Sequence, residues 1–184
     1  MRIITGMCKG RKLRVPKDNS VRPTPDRIKE AVFSMLSPYI DEETIAVDVF
    51  SGTGNMGLET LSRGAGKVFF SELSIDNIAY IKQNIALCDV GDRSVVYRGD
   101  YAQNLKRIQE SPDIYFLDPP YDDCLLEEAL QLISKLSNLK NEAFIVCEHR
   151  TKHALPGQIG NLELWKFKRY GATSISIYRP KEKG

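Results

Sequence analysis

From residue 44 onward the apolar and polar positions alternate between two rhythms. Short apolar runs of strand length, TIAVDVF (44–50), KVFFSE (67–72), SVVYRGD (94–100), DIYFLD (113–118) and AFIVCEH (143–149), are separated by segments whose apolar residues recur at helical spacing. Those segments are MGLETLSR (56–63), ended by Gly64; a stretch capped by Ser74 with Ile75, Ile78, Ile81 and Ile85 on one stripe; AQNLKRIQ (102–109); and LLEEALQLISKL (125–136). Apolar strands alternating with helices predict an α/β fold: a doubly wound, mostly parallel sheet covered on both faces. The end of the chain differs. ELWKFKRY (163–170) and TSISIYR (173–179) flank a two-residue GA, the pattern of an antiparallel hairpin at a sheet edge. The expected sheet therefore has seven strands and a Rossmann-like order.

The first 40 residues follow neither rhythm. RIITG (2–6) and GRKLRVP (10–16) read as a short basic hairpin with Gly6 and Gly10 at the bend, followed by a polar loop, KDNSVRPTP. Thr24-Pro25 then reads as a helix start, a capping hydroxyl with proline at the first helical position. The helix DRIKEAVFSML (26–36) should present Ile28, Ala31, Val32 and Met35 on one face. The expected organisation is one domain over 1–184, with residues 1–40 as an N-terminal extension (hairpin plus helix) and 41–184 as the core.

Charge sharpens that division. Residues 1–30 hold nine Lys/Arg against three Asp/Glu, a net of +6; residues 31–160 net −8, and residues 161–184 net +4. Basic ends on an acidic body suit contact with a polyanion. A hydrophobic fraction of 42% with 27% charged residues is that of a soluble globular protein. No run reaches the length of a membrane span, and the start lacks a leader's apolar core. Four scattered cysteines without a CxxC pair, and only two histidines, argue against a metal site and for reduced thiols in the cytoplasm. A monomer is expected.

The chemistry gathers at two strand ends. DVFSGTGNMGLE (48–59) carries Gly52, Gly54 and Gly57 as GxGxxG between the first strand and its helix, a loop that lets a ligand approach the backbone. Glu72 ends the next strand, twenty residues after Gly52, where an acid accepts hydrogen bonds from ribose hydroxyls. These features fit two cofactors, a nicotinamide dinucleotide and S-adenosylmethionine. Asp48, four residues ahead of Gly52, would repel a pyrophosphate when ionised. S-adenosylmethionine has a sulfonium, an ammonium and no phosphate, so it is the expected ligand. DxFxGxG resembles motif I of the class I methyltransferases, in which Asp100, after the third strand, stands where the adenine amine binds.

The second strand end is Asp118-Pro119-Pro120-Tyr121. In a doubly wound sheet the fourth strand lies beside the first, so this motif should face the methyl donor. An exocyclic base amine is a poor nucleophile, because its lone pair is conjugated into the ring. An acceptor for each amine hydrogen turns that lone pair out of the plane. The Asp118 carboxylate supplies one acceptor and a carbonyl of the proline turn, that of Pro119, the other. Prolines bring no N–H and stiffen the turn. Tyr121 can stack on the base. Catalysis would rest on positioning and electrostatics. The motif points to an amine of adenine, cytosine or guanine and does not choose among them. Asp122 and Asp123 suit the N-terminus of the following helix.

Across nearly its whole length the chain resembles the RsmD-type methyltransferases, which modify the N2 amine of a guanine in bacterial 16S ribosomal RNA. The resemblance lies in RIITG…GRKLRVP, RPTPDRIKEAVFSML, DVFSGTGNMGLETLSRGA, FFSEL, DIYFLDPPY and KRYGATSISIY. The segment RPT…DR…E is the most family-specific of these. Thr5 departs from the pattern, where the family often has a second glycine. The resemblance implies that Asp48, Ser51, Gly52, Gly54, Glu72 and Asp100 bind S-adenosylmethionine, with S-adenosylhomocysteine as product and no metal. It implies that Asp118, Pro119, Pro120 and Tyr121 form the catalytic motif, and that Arg22, Thr24 and Arg27 border the guanine and RNA. The basic ends, including Arg11, Lys12, Lys168 and Arg169, would then contact phosphates of 16S rRNA, within a small ribosomal subunit or an assembly intermediate. Three rivals stand beside this reading. An NAD-linked oxidoreductase fits the glycine loop, but Asp48 and DPPY argue against it. A DNA or RNA adenine or cytosine amino methyltransferase fits DPPY, but no obvious target-recognition domain is present. A non-catalytic RNA-binding protein fits the charge and leaves motif I and DPPY unexplained.

Overall fold

The computed structural model describes residues 1–16, 25–119 and 123–181. Five parallel strands come first: β1 (Ile45–Asp48), β2 (Lys67–Glu72), β3 (Ser94–Arg98), β4 (Ile114–Leu117) and β5 (Phe144–Arg150). β6 (Gln158–Ile159), β7 (Leu162–Tyr170) and β8 (Thr173–Pro180) are antiparallel additions. The sheet has eight strands in the order β3-β2-β1-β4-β5-β8-β7-β6. The extra strand over the expected seven is β6, two residues long, too short to leave an apolar pattern. It also takes the outer edge, so the β7–β8 hairpin lies one strand inside it.

The helices are α1 (Asp26–Leu36), α2 (Asn55–Ser62), α3 (Ile75–Cys88), α4 (Tyr101–Arg107) and α5 (Asp123–Ile133). They split two apolar layers across the sheet. Phe33, Leu58, Phe70, Ile81, Phe116 and Val146 belong to one, and Val47, Leu105, Tyr115, Leu117, Leu130 and Ile145 to the other. All four positions of β4 are buried, which is why its sequence has no polar alternation. β1 pairs with β2 on one side and β4 on the other, so the strand order reverses between β1 and β4 and opens a crevice at their carboxyl ends.

Helix starts follow local chemistry. The Ser74 side chain accepts from the Asn77 backbone N–H (3.3 Å), capping α3. Ile75, expected on the buried stripe, is 60% exposed, whereas Ile78, Ile81 and Ile85 are buried. The stripe begins only where α3 meets the sheet. α1 covers the expected DRIKEAVFSML, but Pro25 is its cap rather than its first helical residue, its carbonyl accepting from Ile28 (2.9 Å) and Lys29 (3.1 Å). The expected cap, Thr24, lies outside the described residues. The buried face of α1 is Ile28, Lys29, Val32, Phe33 and Leu36, rotated from the expected one, with Ala31 and Met35 only half-buried.

The rotation has a cause. Lys29 is fully buried, and its ammonium lies 3.1 Å from the Glu59 carboxylate of α2. It also donates to the Arg2 carbonyl (2.5 Å) and Asn55 Oδ1 (2.9 Å). Glu59 in turn accepts from the backbone N–H groups of Ile4 (2.8 Å) and Thr5 (3.0 Å) and from Arg63 Nε (3.0 Å). Burial pushes the Lys29 ammonium below the usual lysine range, against the pull of Glu59.

The N-terminal residues are part of the packing. They form a single antiparallel bridge, Arg2 to Lys12, rather than the expected two-strand hairpin. The segment is diverted onto α2: Met7 N–H donates to the Ser62 carbonyl (2.8 Å), Cys8 N–H to Ser62 Oγ (3.0 Å), and Ser62 Oγ to the Thr5 carbonyl (2.6 Å). Gly6 makes this approach possible. Its φ is +87°, and a Cβ there would sit 1.7 Å from the Ser62 carbonyl oxygen. Ile3, Cys8 and Leu13 are buried core residues. Cys8, Cys88 and Cys147 are buried free thiols.

Glu59→Ala would leave a buried ammonium and two backbone donors without their carboxylate. Urea unfolding at neutral pH is expected to show a loss of about 3–5 kcal/mol. A loss near zero would show that the network does not hold α2.

Candidate active site

The crevice at the β1–β4 switch point is a cleft of about 390 Å³. Its first wall is the glycine loop. Gly52 and Gly54 have φ of +53° and +87°, and the Gly54 N–H donates to the Ser51 carbonyl (2.7 Å), turning the chain directly into α2. A Cβ on Gly57 would lie 2.3 Å from the Phe70 ring, so this glycine lets α2 settle against β2. Ser51 Oγ donates back to the Asp48 carbonyl (2.7 Å), and Ser51 N–H to the Ser71 carbonyl (3.0 Å).

Two acids brace the loop from behind. Glu72 Oε2 accepts from the Gly52 N–H (2.8 Å) and Oε1 from the Ser74 N–H (2.8 Å). An ionised carboxylate has about four acceptor positions, so both oxygens keep capacity for a ligand. Asp48 is 4% exposed and accepts from the Gly57 N–H (3.0 Å). Burial lifts its carboxyl from the ordinary 3.8 to about 7; the Gly57 N–H opposes the rise and the Glu72 charge adds to it. Asp100 caps α4, its Oδ1 accepting from Ala102 (2.9 Å) and Gln103 (3.3 Å) N–H groups, and it also lines the cleft. Asn104 sets that corner by donating to Ser71 Oγ, the Tyr97 carbonyl and the Gly99 carbonyl.

The opposite wall begins with Asp118 and Pro119, which follow β4 and line the same cleft. Glu148, Arg150 and Thr173 extend this wall along β5 and β8. Pro120 and Tyr121 lie outside the described residues, as do Arg22 and Thr24. Arg27 stands 5.8 Å from the Tyr170 ring, and Tyr170 pairs with Thr173 of the cleft wall. Arg11 donates to the Leu87 carbonyl, and Arg169 Nε to the Gly171 carbonyl (3.3 Å). Lys12 and Lys168 are exposed.

Three contributions escaped sequence reasoning. Phe50 and Tyr101 pack ring against ring, centroids 5.0 Å apart, and give the cleft an apolar side. Asn55 lines the cleft with a buried Nδ2 that has no partner among the described residues, while its Oδ1 takes the Lys29 ammonium. Glu148 looked like the end of an apolar strand. No spacing rule marks these residues, since their roles come from neighbours distant in sequence. Among the described residues no group of three or more His, Cys, Asp and Glu is arranged to hold a metal.

The strand order, the switch-point cleft and the glycine loop define a Rossmann-like fold of the class I methyltransferase type. A family model described as Conserved hypothetical protein 95 matches residues 1–179, and the chain belongs to that family. It is 37% identical over 183 residues to the ribosomal RNA small subunit methyltransferase D of Haemophilus influenzae, spanning 97% of this chain and 93% of that protein. It matches the solved structure of yhhF from Escherichia coli with a TM-score of 0.86 and 31% identity, covering 100% and 99% of the two chains. An RNA methyltransferase from Salinibacter ruber, solved in complex with S-adenosyl-L-homocysteine, shares the fold at a TM-score of 0.69 and 13% identity, covering 88% of this chain and 95% of that one. The match to the family agrees with the RsmD-type resemblance of the sequence.

Asp48 makes a measurable claim. Its carboxyl binds a proton more tightly folded than unfolded, so its ionisation opposes folding. Between about pH 4 and about pH 7 the ligand-free protein should lose stability relative to Asp48→Asn, by up to about 1.4 kcal/mol per pH unit. Parallel urea titrations across that range would check this, and a constant difference would refute it.

Proposed function

We propose that this protein is an S-adenosylmethionine-dependent methyltransferase acting on the N2 amine of a guanine in small-subunit ribosomal RNA. The observation that carries the reading is that Asp118-Pro119 opens into the same cleft as the glycine loop, Glu72 and Asp100. The family membership and the name of the Haemophilus influenzae relative support RNA as the substrate.

The residues present fit the cofactor. The orphan Nδ2 of Asn55 is a buried donor suited to its carboxylate, and Glu72 keeps acceptor positions for ribose hydroxyls. Phe50 and Tyr101 offer an apolar surface beside the Asp100 corner, where the adenine would lie. When bound, the cofactor supplies an electrophilic methyl group on a sulfonium. Asp48 and Glu72 make the glycine-loop end of the cleft favourable to a cation and hostile to a pyrophosphate.

The chain's own part is positional. Asp118 and the Pro119 carbonyl take the two amine hydrogens, which holds the lone pair out of the base plane. Tyr121 closes the arrangement by stacking on the base. Asp118 also stabilises the positive charge that develops on the amine. No strong base is required, because a methylated, positively charged aryl amine is acidic enough to lose its proton to water. An RNA helix conceals its bases, so the target is an exposed or flipped-out guanine. Lys12, Lys168 and Arg27, with Arg22 and Thr24, border its path and meet phosphates. Arg11 and Arg169 hold chain carbonyls with part of their donors and keep their charge.

Two measurements test this. Calorimetry should show S-adenosylhomocysteine binding and no comparable binding of NAD; the reverse order would sink the reading. Asp118→Ala should abolish methyl transfer to small-subunit rRNA while S-adenosylhomocysteine affinity stays within a few-fold. Full turnover by that variant would remove Asp118 from the chemistry. For the RNA path, Lys12→Glu combined with Lys168→Glu should flatten the dependence of log K on log salt by roughly two, close to one for each phosphate no longer neutralised. An unchanged slope would place the RNA elsewhere.

A further inference from the structure

The DPPY turn accepts an amine and does not say which base bears it. The other half of the cleft does. β4 and β5 are parallel neighbours whose register ends with Leu117 opposite Cys147, and Asp118 and Glu148 are the residues that follow this last pair. Adjacent strands are about 4.8 Å apart. Both residues line the cleft, and both lie on the side away from the glycine loop. Glu148 is half-buried, on the face of β5 that it shares with Val146.

The three candidate bases differ at the atom next to the reacting amine. Adenine and cytosine have a ring nitrogen with a bare lone pair there. Guanine has a bare N3 on one side of its amine and N1–H, a second donor, on the other. A carboxylate next to the amine-holding turn attracts that donor and repels a lone pair. We propose that Glu148 is the specificity-determining residue, selecting guanine by accepting its N1–H while Asp118 and Pro119 hold the N2 amine. The proposal rests on the methyltransferase reading above and adds the base discrimination that the DPPY motif lacks. Rejection is as important as attraction here. A site built around an acceptor leaves a carboxylate facing a lone pair, with water displaced by the base, when the wrong base enters.

2-Aminopurine separates the two contributions, since it keeps the 2-amino group and replaces N1–H with a lone pair. The methylated position is first mapped in small-subunit rRNA with the wild-type protein. A synthetic RNA carrying that site is then prepared with guanosine or 2-aminopurine riboside at the mapped position. The wild type should favour guanosine in kcat/KM by roughly tenfold to a hundredfold. Glu148→Gln, whose amide can offer N–H to a bare nitrogen, should erase most of that preference. Glu148→Asp should retain the preference at a lower rate. S-adenosylhomocysteine binding within a few-fold of wild type reports that each variant is folded; if the glutamine variant is not, Glu148→Ala gives the same reading. A variant that keeps the wild-type ratio while both substrates decline together overturns the proposal and leaves the methyltransferase reading standing. Failure of the wild type to methylate any guanine overturns both.

Discussion

The carboxylate of Glu59 is the constraint on which the rest of this structure depends. α2 carries the C-terminal half of the glycine loop and is covered on nearly every side, so its polar residues need partners inside the protein. Glu59 is 0% exposed and draws four donors to one point: two N-terminal backbone groups, the Lys29 ammonium and Arg63. An ion pair this deep gains little over an apolar pair of the same shape, but removing one partner is costly. What the network secures is placement. It ties the first residues of the chain, α1 and the helix behind the glycine loop into one body. Residues 1–16 of the basic N-terminal segment are thus no free arm, and their Lys and Arg residues have a set position relative to α2.

Placement matters because the cleft itself is acidic. Asp48, Glu72, Asp100, Asp118 and Glu148 all line it, on a stretch of chain with a net charge of −8. Phosphates are unwelcome there, whereas amine hydrogens and cations are favoured. Positive charge is in excess at the chain ends, +6 over residues 1–30 and +4 over residues 161–184, while Arg150 joins the acids lining the cleft. Under the proposed function, this separation sorts the parts of a nucleotide. The backbone is held outside, and a base enters alone, which is what taking a base out of its stack requires.

The sheet, its five parallel strands, the Ser74 cap and the closing hairpin were all legible in the sequence, because each follows from neighbours within a few residues. The glycine loop and Glu72 were legible for the same reason, since strand, turn and helix lie in chain order. Failures came where a distant partner outvoted the local pattern. Lys29 reads as a solvated lysine on an amphipathic helix, yet Glu59, thirty residues away, turns it inward and rotates the buried face of α1. Ile75 completes an apolar stripe and still faces solvent, because the sheet ends before it does. The basic hairpin does pair, Ile3 N–H with the Arg11 carbonyl and Leu13 N–H with the Met1 carbonyl, but it stops at one bridge, with the N–H groups of Ile4, Thr5, Met7 and Cys8 turned to Glu59 and Ser62 of α2.

Asp48 shows why a rule broken locally can mark a functional position. A carboxyl at 4% exposure, with its pKa pushed to about 7, weakens the empty protein whenever it is ionised. An asparagine could accept the same hydrogen bond from Gly57 without that cost. Under the proposed function, the acid is explained by the cationic ligand it faces. A cation at the glycine loop stabilises the ionised form, so part of the binding free energy of such a ligand is relief of the unfavourable charge between Asp48 and Glu72. The same relief is not open to a dinucleotide, whose pyrophosphate would add to the repulsion. Under the proposed function, the destabilising residue and the choice of cofactor are two expressions of one electrostatic arrangement.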